Sequence, residues 1–290
     1  MGFKMNINKK QIQQIIGFSI IIACVVVVLF ILGIILYDIT SKGICRINWE
    51  FLTMPPRNGM TEGGIFPALI GTFFVTIITA IFSIPLGMGC AIYLNEYAKD
   101  TAITRVIRMA IRNLSGVPSI VYGLFGVILF VQLMHIGTCI LASGATLALM
   151  TLPWTITASE EALKNVPQAY RDGALALGAT KWQAIRTNVL PYAVPGMLTG
   201  TILGLARAAG ETAPILFTGA AFFLPDIPKS IFDQFMALPY HLYIMATQHH
   251  DIEGVRPIAY GTALVLVAMI FIMNLTSIII RYKLRKIKKD

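Results

Sequence analysis

The chain has 290 residues, of which 56% are hydrophobic and only 13% charged, with a mean hydropathy of +0.74. That balance excludes a soluble domain of this size and marks an integral membrane protein. A formal net charge of +9 raises nucleic acid as a partner, but the positions of the basic residues report membrane topology instead.

Six apolar stretches are long enough to cross about 30 Å of hydrocarbon. In chain order they read as 15–37, 66–94, 114–133, 140–158, 192–224 and 258–280. The second and fifth carry internal prolines, Pro85 in one and Pro195 and Pro214 in the other, and are expected to kink or break. With the N-terminus in the cytoplasm, 17 of the 23 Lys and Arg fall in inside segments and 5 in outside segments; Arg207 alone stays within a span. This asymmetry follows the positive-inside rule, so both termini are expected in the cytoplasm.

The first stretch is longer than a signal-peptide core and no small-x-small cleavage site follows it, which predicts an uncleaved helix. Ile21-Ile22-Ala23-Cys24 resembles a lipoprotein box, but Cys24 is followed by four valines and lies inside the apolar run. The four cysteines, Cys24, Cys45, Cys90 and Cys139, imply no disulfide framework. Outside the membrane, His249-His250-Asp251 with His241 and Glu253 lacks helical ligand spacing and reads as a solvated loop rather than a metal site. The chain contains no G-x-x-x-x-G-K-[ST], no H-E-x-x-H and no G-x-S-x-G. Any energy source must come from another subunit.

The inside connection 159–191 carries helix punctuation. Asn165 and Pro167 suit a first turn, Gly178 suits a C-terminal stop, and Thr180-x-x-Gln183 reads as a capping box that restarts a helix. Two short helices hinged at a glycine would turn Leu175, Leu177 and Trp182 away from the membrane. From its residues alone, this segment reads first as an amphipathic hairpin on the lipid surface.

The fifth stretch holds Arg207 and Glu211 at bilayer depth, where a charge costs on the order of 3 kcal/mol or more. Four residues apart, the two are expected on one helical face. Arg207 offers a planar fork suited to tetrahedral oxyanions. Glu211 repels anions, yet it would neutralise Arg207 in an empty site, and it accepts a hydrogen bond from an anion that still carries a proton. The alternative is an ion pair that only orients helices. Gly196, Gly200, Gly204 and Ala208 form a small-xxx-small stripe about 100° away, expected to pack closely on another helix.

Two sets of residues then bring in a resemblance. Asp172-Gly173-Ala174-x-x-x-Gly178, followed by Asn188-x-Leu190-Pro191, resembles the "EAA" loop of ABC-importer permeases; Asp172, Gly173 and Asn188 depart from that pattern. Gly64-Ile-Phe-Pro67-Ala-Leu-Ile-Gly71-Thr72, Gly116-Val-Pro118-Ser-Ile-Val-Tyr-Gly123-Leu-Phe-Gly126, Ala176-Leu-Gly178-Ala-Thr180-Lys-Trp182 and Arg207-Ala-Ala-Gly210-Glu211-Thr212-Ala213-Pro214 are similar to the PstA family of phosphate-importer permeases. The Glu-Thr-Ala-Pro-Ile-Leu-Phe continuation resembles PstA more than its partner permease PstC.

The resemblance implies an all-α membrane protein with six transmembrane helices and the type I, MetI-like importer fold. Residues 1–65 would be an added helix and outer loop, 66–281 the transmembrane domain, and 282–290 a basic cytoplasmic tail. Asp172, Gly173, Ala174, Gly178, Leu190 and Pro191 would belong to the segment that couples to an ATPase. Arg207, Glu211 and Thr212 would line the substrate path, with Gly196, Gly200 and Gly204 packing helices. The implied partners are a PstC-like second permease, a PstB-like ATPase dimer carrying ATP and Mg, a PstS-like phosphate-binding protein and the lipid bilayer; no cofactor is expected in this chain. The expected function is a phosphate-importer permease in the cytoplasmic membrane. Permeases for sulfate, molybdate or phosphonate are the alternatives, with a membrane scaffold or intramembrane enzyme far behind.

Overall fold

Proline and glycine decide where the apolar stretches of this chain begin, bend and end. In the computed structural model, which describes residues 9–286, the chain is helical almost throughout. Lys4, Lys288 and Lys289 of the predicted inside set lie outside the described residues. Helix α1 (Lys9–Gly43) is followed by a short outer segment of α2 (Trp49–Thr53) and a two-stranded antiparallel ribbon, β1 (Pro56–Arg57) with β2 (Glu62–Gly63). Then come α3 (Phe66–Ile92), α4 (Ala102–Leu114), α5 (Ser119–Gly126), α6 (Ile140–Lys164), α7 (Gln168–Ala176), α8 (Lys181–Ala184) and α9 (Leu190–Ala209). The chain finishes with α10 (Ala213–Thr218), α11 (Leu238–Thr247) and α12 (Ile252–Lys286). Wider π-type turns extend α3 through Tyr97 and α5 through Leu133, and they join α8 to α9.

Five of these helical segments are long and apolar enough to cross a bilayer; a sixth exists if α4 and α5 count as one span. The expected third span, 114–133, is therefore corrected. Ser115, Gly116 and Pro118 sit in a bend of 104° between α4 and α5, because proline excludes the residue before it from continuing a helix. The connection 159–191 also shortens. Helix α6 runs on to Lys164 and α8 continues into α9, so only the segment around α7 stands free of the spans. The predicted tail begins as helix, since α12 reaches Lys286.

The core lies where α3, α6 and α9 cross, with α10, α11 and α12 closing its sides. Helix α11 lies between the fifth and sixth stretches, where the sequence shows no span. Phe235, Met236, Ala237 and Leu238 are fully buried, and the Leu238 amide donates to Thr72 Oγ1 at 2.8 Å. A Cβ at Gly71 would strike the Met236 carbonyl, so a glycine-threonine pair on α3 is what lets this strand of backbone enter. Helix α1 stands apart: none of its apolar window is buried. It is held at its C-terminal end, where Tyr260 Oη donates to Asp38 Oδ2 at 3.0 Å and Lys42 Nζ lies 2.5 Å from Asp38 Oδ1.

The glycine stripe of α9 faces a matching four-residue series on α6. A Cβ on Gly200 would collide with the methyl of Ala158; one on Gly196 would lie 2.9 Å from that of Ala162; one on Gly204 would rest 3.9 Å from Trp154 Cβ, an ordinary contact. These distances predict a graded result in thermal unfolding of the detergent-solubilised protein. Gly200→Ala should cost about 1–3 kcal/mol through overpacking. Gly204→Ala should be neutral or stabilising by up to about 1 kcal/mol, the ordinary helix gain of alanine over glycine. Equal effects at both positions would show that the stripe is not a packing seam.

Candidate functional site

The fifth stretch does not run through as one helix. A continuous helix would set the Pro214 ring against the Gly210 carbonyl and remove that hydrogen bond, so α9 ends at Ala209 and α10 restarts at Ala213 with Pro214 in its first turn. The Gly210 and Glu211 amides fold back onto the Arg207 and Ala208 carbonyls at 3.0 and 3.1 Å. Arg207 thus occupies the last turn of α9 while Glu211 lies beyond the helix, which corrects the expectation that both share a helical face. They meet all the same: Arg207 Nε is 3.5 Å from Glu211 Oε1. The last turn of a helix favours a cation and its end carbonyls disfavour a carboxylate, so the break suits Arg207 better than Glu211.

Both side chains open onto a groove of about 650 Å³ between α6, α9 and α12, walled by Trp154, Leu203, Ile270 and Asn274. The Arg207 guanidinium lies 5.1 Å from the centre of the Trp154 ring, a separation at which a cation is drawn to an aromatic face. Its side chain is 56% exposed against 19% for Glu211, so the cation is the accessible member of the pair. Thr212, placed with them on the expected path, begins α10, and its carbonyl accepts from the Leu216 amide at 3.1 Å. A Cβ on Gly123 of α5 would come within 3.0 Å of the Ala213 carbonyl and 3.1 Å of Pro214 Cα, so the glycine leaves room for the restart.

The second assembly sits at the end of the bundle that carries most of the arginines. Helix α7 starts after Pro167, stops at Gly178 in the left-handed conformation (φ 82°), and is followed by α8 with its capping box intact: the Thr180 hydroxyl accepts from the Gln183 amide and the Gln183 side chain from the Thr180 amide. Pro167 opens the helix as read from sequence, but Asn165 caps the end of α6 instead. Asp172 and Gly173 are exposed and Ala174 is buried; Leu190 and Pro191 open α9. Leu175, Leu177 and Trp182 point outward, Leu177 being 91% exposed.

What holds α7 there was not foreseen. Arg171 reaches Glu96 at the end of the α3 extension through Nη2 at 2.7 Å and Nε at 3.1 Å, and it also donates to the Val166 and Leu163 carbonyls. Beside it, Arg108 of α4 donates to the Leu94 carbonyl at 2.5 Å and approaches Glu160 at 3.3 Å. Two acidic residues flanking the ends of apolar stretches were the available signal.

The histidines correct another expectation. His249 and His241 are buried rather than solvated. His249 Nε2 lies 2.5 Å from the Gly59 carbonyl and Nδ1 lies 3.0 Å from the Asp251 amide, which ties the outer ribbon to the start of α12.

Comparison with known proteins agrees with this geometry. The chain is 30% identical to a probable ABC transporter permease protein, YqgI, of Bacillus subtilis, covering 93% of this chain and 95% of that one. It is 32% identical to the phosphate transport system permease protein PstA 1 of Mycobacterium tuberculosis (94% and 90%), and 37% identical to the PstA protein of Yersinia pestis (70% and 70%). Among solved structures, a bacterial transporter that imports alginate superposes with a TM-score of 0.67 at 11% identity, over 95% of this chain and 98% of that one. The MetNI methionine transporter gives 0.60 at 16% identity over 76% and 97%, so the fold is that of the MetI-like importer permeases. Residues 83–289 match the family described as the binding-protein-dependent transport system inner membrane component. That range takes in α7, the broken α9–α10 segment and the groove beside it, and the chain belongs to this family of multi-pass inner-membrane permeases.

Proposed function

We propose that this chain is a permease subunit of an ATP-driven importer of inorganic phosphate and forms half of its translocation path. A permease of this family works with an ATPase, a second permease and a solute-binding protein. Here these are read as PstB-like, PstC-like and PstS-like, with ATP and Mg held by the ATPase. The observation that carries the reading is Arg207, exposed in an otherwise mainly apolar groove, in a chain whose curated relatives include several phosphate permeases. The basic-residue count supports a cytoplasmic location for both termini. Helix α7 then lies on the ATPase side, with Asp172 and Gly173 on its outer surface and the exposed Leu177 just beyond its end. Rigid-body motion of that helix would carry ATPase closure into the bundle.

In the groove, phosphate would displace Glu211 from Arg207 and take up the guanidinium fork. Glu211 would accept a hydrogen bond from the proton that hydrogen phosphate carries and sulfate lacks. The test is uptake into vesicles holding the complete importer. Arg207→Gln is expected to lower phosphate uptake about 10- to 100-fold, the equivalent of losing a charged hydrogen bond. Unchanged uptake would sink the assignment of Arg207. Glu211→Gln, which can donate as well as accept, is expected to narrow the preference for phosphate over sulfate by about tenfold. Competition of wild-type uptake by sulfate, molybdate or phosphonate would shift the reading to another oxyanion.

A further inference from the structure

Helix α4 is set off from the long spans by the bend before α5. It is capped by Thr101, whose hydroxyl accepts from the Thr104 amide at 3.3 Å, and it ends at the bend before Pro118. None of its residues is fully buried. Ile103, Val106, Ile107, Ala110 and Leu114 share one face at helical spacing, while Arg105, Arg108 and Arg112 share the opposite one. The apolar face is open: Ile103 is 73% and Val106 56% exposed. Thr104, Arg108 and Ile111 form the narrow side turned to the protein.

The 104° bend sets α4 nearly perpendicular to α5. Taking Ser119–Leu133, α5 with its extension, as the limb of the bent pair that enters the bilayer, α4 lies close to the plane of the membrane surface. An apolar face on one side and arginines on the other is the arrangement that an interfacial helix presents to lipid. Lys99, Arg105 and Arg112 are exposed, against a single exposed acid, Asp100, which lies 4.0 Å from Arg105. That balance fits anionic headgroups.

We propose that α4 is an interfacial anchor that binds anionic phospholipid in the leaflet at the basic end of the bundle. Ile103, Val106 and Ile107 enter the acyl boundary and Arg105 and Arg112 hold the headgroups. Arg108 faces inward and fastens the anchor to the rest of the molecule, through the Leu94 carbonyl and Glu160. Two residues on from Leu94, Glu96 holds Arg171 of α7. The lipid-bound helix and the helix that carries Asp172 are thus fixed to the same turn of backbone.

The experiment places a photoreactive residue at Ile103 or Val106 of the complete importer, in vesicles of phosphatidylcholine with phosphatidylglycerol, and identifies the adducts by mass. Lipid adducts enriched in phosphatidylglycerol are expected. Adducts to the second permease or the ATPase in their place would overturn the proposal. Arg105→Gln with Arg112→Gln should lower the enrichment by about fivefold per arginine, the equivalent of about 1 kcal/mol each, and Arg105→Lys with Arg112→Lys should keep it. Unchanged enrichment in the glutamine variant, or its loss in the lysine variant as well, would overturn recognition by charge.

Discussion

Replacing Arg171 by methionine is expected to free α7 from the bundle while leaving the spans inserted. Arg171 and Glu96 keep only 14% and 5% of their side-chain surface, so removing the cation strands a carboxylate in a nearly dry site. Breaking one half of such a pair costs about 3–5 kcal/mol. Beyond this pair the helix has one buried residue, Ala174, and the Tyr170 ring, 5.4 Å from that of Tyr192 on α9, while Leu175 and the following Leu177 face outward. The Val166 and Leu163 carbonyls lose the Arg171 donor in the same variant, although Leu163 keeps its bond from the Val166 amide. Amide hydrogen exchange over 165–180 should therefore rise steeply, and transport should become uncoupled from ATP hydrolysis. Adding Glu96→Gln removes the stranded charge and should recover more than half of the lost stability, since the neutral pair no longer carries the desolvation penalty. If exchange over 165–180 stays at its wild-type level in Arg171→Met, α7 is held by other means.

The chain's signals divided by their range. The spans, the capping box at Thr180 and Gln183, and the stop at Gly178 were legible because each rests on residues within a turn or two of one another. The α4–α5 bend was half legible: Pro118 marks a kink, but nothing local to it shows that the helix turns through 104° and splits the stretch. Pro214 likewise announced a kink, yet whether α9 would bend or stop depended on Gly123 of α5 making room for the restart. Glu96 with Arg171, 75 residues apart, leaves no local pattern, and neither does Thr72 capping Leu238 across 166 residues. Helix α11 was missed because it is too short to span, and its proline and polar neighbours look like loop until the Phe235–Leu238 segment is seen buried. Arg207 and Glu211 stood out by cost alone; their meeting across a helix break, rather than along one face, needed the fold.

Acid should loosen the outer half of the molecule through His241. Its ring is buried in α11 and neither nitrogen has a hydrogen-bond partner among the described residues. Burial, with a smaller repulsion from His249, lowers its pKa to about 4, against about 6.5 in an unfolded chain. The folded state therefore binds fewer protons than the unfolded one between these values. Stability from this group is complete above about pH 6.5 and is lost as pH falls toward 4, amounting to about 3 kcal/mol at the lower end. Thermal unfolding of the detergent-solubilised protein should show a melting temperature that declines from pH 7 to pH 4.5. His241→Leu supplies the control. It removes two unpaired polar atoms from an apolar surround, so the variant should be at least as stable as wild type at pH 7. Its stability should also fall less between pH 6.5 and 4, because a titrating group with a depressed pKa is gone. A leucine variant with the wild-type pH slope would assign the acid sensitivity to other groups, and a strongly destabilised one at pH 7 would mean that the His241 ring nitrogens are satisfied in the folded protein.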